Sequence, residues 1–139
     1  MKTLAIRMDK HSSNAQSIAE YLSQHDKVTH VNYNGLLDHP DHEIAKKQMS
    51  QFGGMLSFTL VGGQAEALAT IDRLQYCTHA PTLGDVDTLV LHPATSSHLN
   101  VDHSIREKNG ITDGMVRVSV GIEDVYDLIA DFEQALGQL

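Results

Sequence analysis

Arg117 lies in the run Gly-Met-Val-Arg-Val-Ser-Val-Gly-Ile-Glu-Asp at 114–124, where Val116, Val118 and Val120 alternate with Met115, Arg117 and Ser119. That two-residue period predicts a half-buried strand that turns one arginine to the face opposite the valines. A guanidinium fixed on a strand suits forked recognition of a carboxylate, so one reading is a small carboxylate substrate. The other is a structural ion pair with one of the eighteen Asp and Glu residues. Local spacing leaves both open.

Other reactive side chains offer less. Among nine histidines, His39 and His42 stand three apart beside Asp38, Asp41 and Glu43 and could share a helix face. His39 precedes Pro40, however, and no third ligand is set by spacing, so solvated capping is the expectation and no metal ligand is assigned. His98 and His103 flank a loop and have the same standing. Cys77, beside Thr78 and His79, has no activating context and reads as a small buried hydrophobe. Ser96 and Ser97 lie on a loop with no base and no Gly-x-Ser-x-Gly elbow, so no catalytic residue is assigned.

The elements that would carry these residues follow from periodicity. Leu4, Met8, His11, Ala15, Ile18, Ala19 and Leu22 recur at three and four, predicting a helix of about six turns that starts almost at residue 1 without an N-cap. Such a start suggests a piece of something longer. Residues 28–33 read as a short strand, with Val28, His30 and Asn32 on one face and Thr29, Val31 and Tyr33 on the other. Pro40 predicts the start of a second helix, capped by Asp38 or His39, with Ile44, Ala45 and Met49 inward. After Gly53-Gly54, residues 55–61 read as a strand. A helix over 64–75 buries Ala67, Leu68, Ile71 and Leu74.

Residues 76–80 are extended and 81–85 form a turn, followed by a brief strand at 88–91 and a short helix at 102–109 stopped by Asn109-Gly110. The chain ends in a helix from about Asp124, with Val125, Leu128, Ile129, Phe132, Leu136 and Leu139 inward and most acids outward. The sum is an α+β fold: a largely antiparallel sheet of about four strands with helices on one face. Neither Gly53-Gly54 nor Gly62-Gly63 has the spacing of a phosphate cradle.

The chain has 139 residues, a formal charge of -8, ten Lys plus Arg and one cysteine. Length predicts one domain over 1–139, short for a complete multi-substrate enzyme. The acidic balance without a basic cluster excludes nucleic acid and anionic membrane surfaces as partners. A lone cysteine allows no internal disulfide, and no segment is apolar enough for a signal or a membrane span, so a cytoplasmic protein is expected.

Several segments, in order, carry a further signal. They are Arg7-Met8 with His11 and Asn14-Ala15; Gly35-Leu36 with His39-Pro40 and His42; Gln48-Met49; Phe52-Gly53-Gly54-Met55 with Ser57-Phe58; Thr82-Leu83-Gly84-Asp85; Leu91-His92-Pro93-Ala94 with His98; and Gly110-Ile111 with Asp113, running through Val116-Arg117-Val118-Ser119-Val120-Gly121-Ile122-Glu123-Asp124 to Asp127-Leu128-Ile129. Together they resemble the C-terminal domain of the pyridoxal-phosphate-dependent Cys/Met metabolism family, the trans-sulfuration enzymes. These include methionine γ-lyase, cystathionine γ-synthase, the cystathionine lyases and O-acetylhomoserine sulfhydrylase.

The resemblance implies the small C-terminal domain of a fold-type I pyridoxal phosphate enzyme, with residues 1–25 forming the helix that joins it to the cofactor-binding large domain. It implies that Arg117 grips the α-carboxylate of an amino-acid substrate. Thr82 and Leu83 stand where the family has a Ser-Leu-Gly loop that contacts the same carboxylate. Pro81 replaces a glutamate often found in enzymes acting on cystathionine, which leaves methionine γ-lyase-like or sulfhydrylase-like specificity open. The family's Schiff-base lysine lies in a Ser-x-Thr-Lys setting, and none of the six lysines, at 2, 10, 27, 46, 47 and 108, has that context.

The expected parent is therefore a homotetrameric lyase or transferase that eliminates or replaces groups at the β or γ carbon of sulfur or O-acyl amino acids. This chain alone would bind no cofactor and be inactive. The alternative is a stand-alone binding or assembly module derived from that domain. In either case an exposed stripe at Leu4, Met8 and His11 is expected to favour self-association.

Overall fold

A computed structural model describes all residues, Met1–Leu139. Five helices and five strands follow one another in the order α1 (Leu4–Ser23), β1 (Val28–Asn32), α2 (His42–Gln48), β2 (Met55–Leu60), α3 (Gln64–Arg73), β3 (Thr78–His79), β4 (Leu89–Leu91), α4 (His103–Lys108), β5 (Met115–Ser119) and α5 (Val125–Leu136), with a single 3-10 turn at Pro93–Thr95 before α4. The strands form one sheet in the order β1-β2-β5-β4-β3. Three pairings are antiparallel, and the two-residue β3 adds a parallel edge to β4. The extended stretch expected near residue 78 thus supplies a fifth strand to a sheet expected to have about four.

Helices α1, α3 and α5 cover one face of this sheet. Their inward residues Ala15, Ile18, Ala19, Leu22, Ala67, Ile71, Leu128, Phe132 and Leu136 meet Leu56, Phe58, Leu60, Val116 and Val118 in one core. Phe58 and Phe132 meet edge to face at its centre, with ring centroids 6.0 Å apart, a geometry that adds about 1 kcal/mol to their area burial. Small residues at 15 and 19 let α1 lie close to the strands. Gly54 serves the same close approach: a Cβ there would stand 3.1 Å from the His11 Cβ, tighter than ordinary contact.

Several expectations change in detail. His11 is buried at 4% exposure, and its Nδ1 donates to the Val120 carbonyl at 2.6 Å, so only Leu4 and Met8 of the anticipated stripe are exposed. A bulge at Thr29 shifts the β1 register, so Val28 joins the core side with Val31 while His30 and Asn32 remain outside.

Helix α2 starts after Asp41, not after Asp38 or His39, because Pro40 sits in a turn closed by the His42 N–H donating to the His39 carbonyl. With seven residues it buries only His42 and Ala45, leaving Ile44 and Met49 exposed. Leu68 is half-buried. Most acids of α5 face outward as expected, and Asp131, at 3% exposure, is the exception. Gly110 does end α4 as expected, with φ +79 in the left-handed region where glycine is favoured.

Candidate active site

The face of the sheet away from α1, α3 and α5 carries the polar row of the fold. Strand register sets Asn32 beside Ser57, Ser57 beside Arg117 and Arg117 beside Leu91. Alternation along β5 sends Val116 and Val118 into the core and leaves Arg117 half-buried on this opposite face. A cleft of about 400 Å³ opens over the row, bordered by Asn32, His39, Phe52, Met55, Ser57 and Arg117. His39 donates from Nε2 to the Asn32 side-chain oxygen at 2.8 Å, because its Nδ1 accepts the Asp41 N–H.

Arg117 takes part in no ion pair with the acids of this chain. The guanidinium that does serve that purpose is Arg106, buried and 2.6 Å from Asp113. Arg117 instead donates from Nη2 to the Thr82 carbonyl at 2.9 Å, while its Nε is buried with no protein partner. A buried unpaired donor on a permanent cation is costly unless an anion completes it.

The structure thus brings Arg117 and Thr82 together across 35 residues of chain. Leu83 follows, 57% exposed, and its N–H makes no hydrogen bond within the protein. A smaller cavity of about 220 Å³ is lined by Met8, Met55, Leu83 and Ser119 among others. Sequence reasoning did not single out Ser119, whose Oγ accepts the Gly84 N–H at 2.8 Å. Its place two residues after Arg117 on the same strand face was the available signal.

The remaining candidates have structural partners. His42 stacks on Phe52 and hydrogen-bonds the Asn34 carbonyl, so it does not converge with His39 on a metal. Ser96 donates to the His92 carbonyl and Ser97 pairs with His98. The Cys77 thiol is buried, and burial followed by the nearby Asp131 carboxylate pushes its pKa up, away from nucleophilic use. Arg106 and then His103 hold the Asp113 carboxyl below the usual carboxylate range. No lysine lines the clefts around Arg117, so these residues do not fit pyridoxal phosphate by themselves.

An α/β domain with helices packed on one face of a five-stranded sheet matches part of a fold-type I pyridoxal phosphate enzyme. Over 98% of its length the chain superposes on the crystal structure of cystathionine gamma synthase from Xanthomonas oryzae pv. oryzae in complex with aminoacrylate and cysteine, with a TM-score of 0.93 and 42% identity, covering 35% of that chain. It is 49% identical over its full length to an L-methionine gamma-lyase of Fusobacterium nucleatum subsp. polymorphum and 48% identical over 136 residues to a cystathionine beta-lyase of Coxiella burnetii. In each case it spans 35% of the relative's length. The family model of the Cys/Met metabolism PLP-dependent enzymes matches residues 1–137, and the chain belongs to that family.

Proposed function

We propose that this chain is the substrate-carboxylate-binding, C-terminal part of a pyridoxal-phosphate-dependent trans-sulfuration enzyme. The supporting observation is Arg117, anchored through Nη2 to the Thr82 carbonyl while its buried Nε has no protein partner. In this reading the edge formed by Nε and the remaining Nη2 N–H grips the α-carboxylate, and the free Leu83 N–H adds a neutral donor. Holding the carboxylate on a strand fixes the rotation of the amino acid about its Cα, which decides which Cα bond is presented for cleavage.

The cofactor, held by a large domain outside these 139 residues, would supply the electron sink for elimination or replacement at the β or γ carbon. The 139-residue chain, with no lysine around Arg117, is inactive alone in this reading. Its exposed Leu4, Ile6, Met8 and Leu83 are surface for that domain, and the parent would be a cytoplasmic homo-oligomer.

The test is a chimera in which this chain replaces the matching segment of the Fusobacterium lyase. Arg117→Ala should raise KM for L-methionine about 100-fold, the loss expected for a charge-assisted, forked contact, while the cofactor's absorbance is retained. An unchanged KM would overturn the reading. Calorimetry of the isolated chain separates the alternative: saturable binding of methionine, homocysteine or cystathionine is what a stand-alone binding module gives.

A further inference from the structure

The 82–84 loop is exposed and belongs to no helix or strand, yet both its ends are held by side chains from one strand. Arg117 donates to the Thr82 carbonyl at 2.9 Å, and Ser119 Oγ accepts the Gly84 N–H at 2.8 Å. Residues i and i+2 on one face of a strand stand about 7 Å apart, the span of a three-residue loop segment laid alongside. The two bonds therefore bracket Leu83 and leave its N–H as the unpaired donor between them. Gly84, at φ +84, turns the chain away directly after the second anchor.

Ser119 is 2% exposed, so water cannot readily replace its hydroxyl as acceptor. From these contacts we infer that Ser119 is a positioning residue of the carboxylate site: its hydroxyl fixes the loop so that the Leu83 N–H faces the same point as the Arg117 guanidinium. This rests on the carboxylate reading of Arg117. Ser119 touches no substrate itself. It acts by lowering the entropy that a ligand would otherwise lose in ordering the loop.

Two measurements test it. In the 139-residue chain, Ser119→Ala should speed amide exchange at Gly84 at least about tenfold, with Val116 and Val118 unchanged, and Ser119→Thr, which keeps the hydroxyl, should restore protection. In the chimera, Ser119→Ala should raise KM for L-methionine about 3- to 10-fold with kcat within about twofold, again rescued by threonine. Unaltered exchange at Gly84, or faster exchange along all of β5, overturns the inference, as does a fall in kcat at constant KM. If Arg117→Ala raises KM and Ser119→Ala does not, this inference alone fails. If neither does, the carboxylate reading fails with it.

Discussion

Arg117 and Thr82 are joined by one hydrogen bond from Nη2 to a backbone carbonyl, and that bond spends only one edge of the guanidinium. The remaining edge distinguishes arginine from any other cation at this place. Arg117→Lys keeps the charge but loses the planar fork. It should raise KM for the amino acid in the chimera about tenfold and move the stability of the isolated chain by no more than about 0.5 kcal/mol. Wild-type affinity in the lysine variant would show that charge alone suffices.

Most of the elements were legible because periodicity reports burial. The valines at 116, 118 and 120 and the stripe of α5 fall where alternation and helical spacing put them. Local pattern could not report long-range polar contacts. His11 reads as one more position of an α1 stripe until Val120, 109 residues away, supplies its acceptor. The bulge at Thr29 is equally invisible, since it depends on pairing with Thr59 and Leu60. For the site, Arg117 and the 82–84 loop were visible through a family pattern, whereas Ser119 needed the distance to Gly84.

Gly121 marks a place where the chain behind the site has no spare room. A Cβ there would stand 2.3 Å from the Val86 carbonyl oxygen and 2.6 Å from the Asp87 carbonyl carbon, both backbone atoms that cannot swing aside. Gly121→Ala should therefore cost about 2 kcal/mol or more, seen as a lower urea midpoint. A neutral result would mean that the 86–88 segment is free to move.

Arg106 and Asp113 tie α4 to the start of β5, with the guanidinium 8% and the carboxylate 41% exposed. The Asp113 pKa is lowered on folding, so its stabilisation is fully present above the ordinary carboxylate value and is lost as pH falls through the lower folded value. Asp113→Asn should remove that acid-dependent part, because the amide oxygen can still accept from Arg106 but carries no charge, and Arg106 keeps its bond to the Ile111 carbonyl. The expected loss is about 1 kcal/mol at neutral pH for this part-exposed carboxylate, shrinking as pH falls through the lowered folded value. A difference between the proteins that stays constant with pH would contradict this account.

Asp131 has the contacts of a keystone for the α3–β3 connection. Its carboxylate accepts the N–H groups of Gln75 and Tyr76 at 2.8 Å and that of Cys77 at 3.3 Å, and Gln134 donates to it as well. Removing it takes the shared acceptor from these backbone donors, of which Cys77 is buried while Tyr76 stands at the surface, so Asp131→Ala should cost about 2 kcal/mol. The same carboxylate helps to raise the Cys77 thiol pKa, second to burial itself. Two consequences separate the effects. In the native protein, a disulfide reagent should label Cys77 at least about 100-fold more slowly than in the unfolded chain. In Asp131→Ala, labelling should accelerate by more than the measured loss of stability explains, because the negative charge opposing the thiolate has gone. If acceleration matches the stability loss alone, the carboxylate acts on Cys77 only by holding the fold.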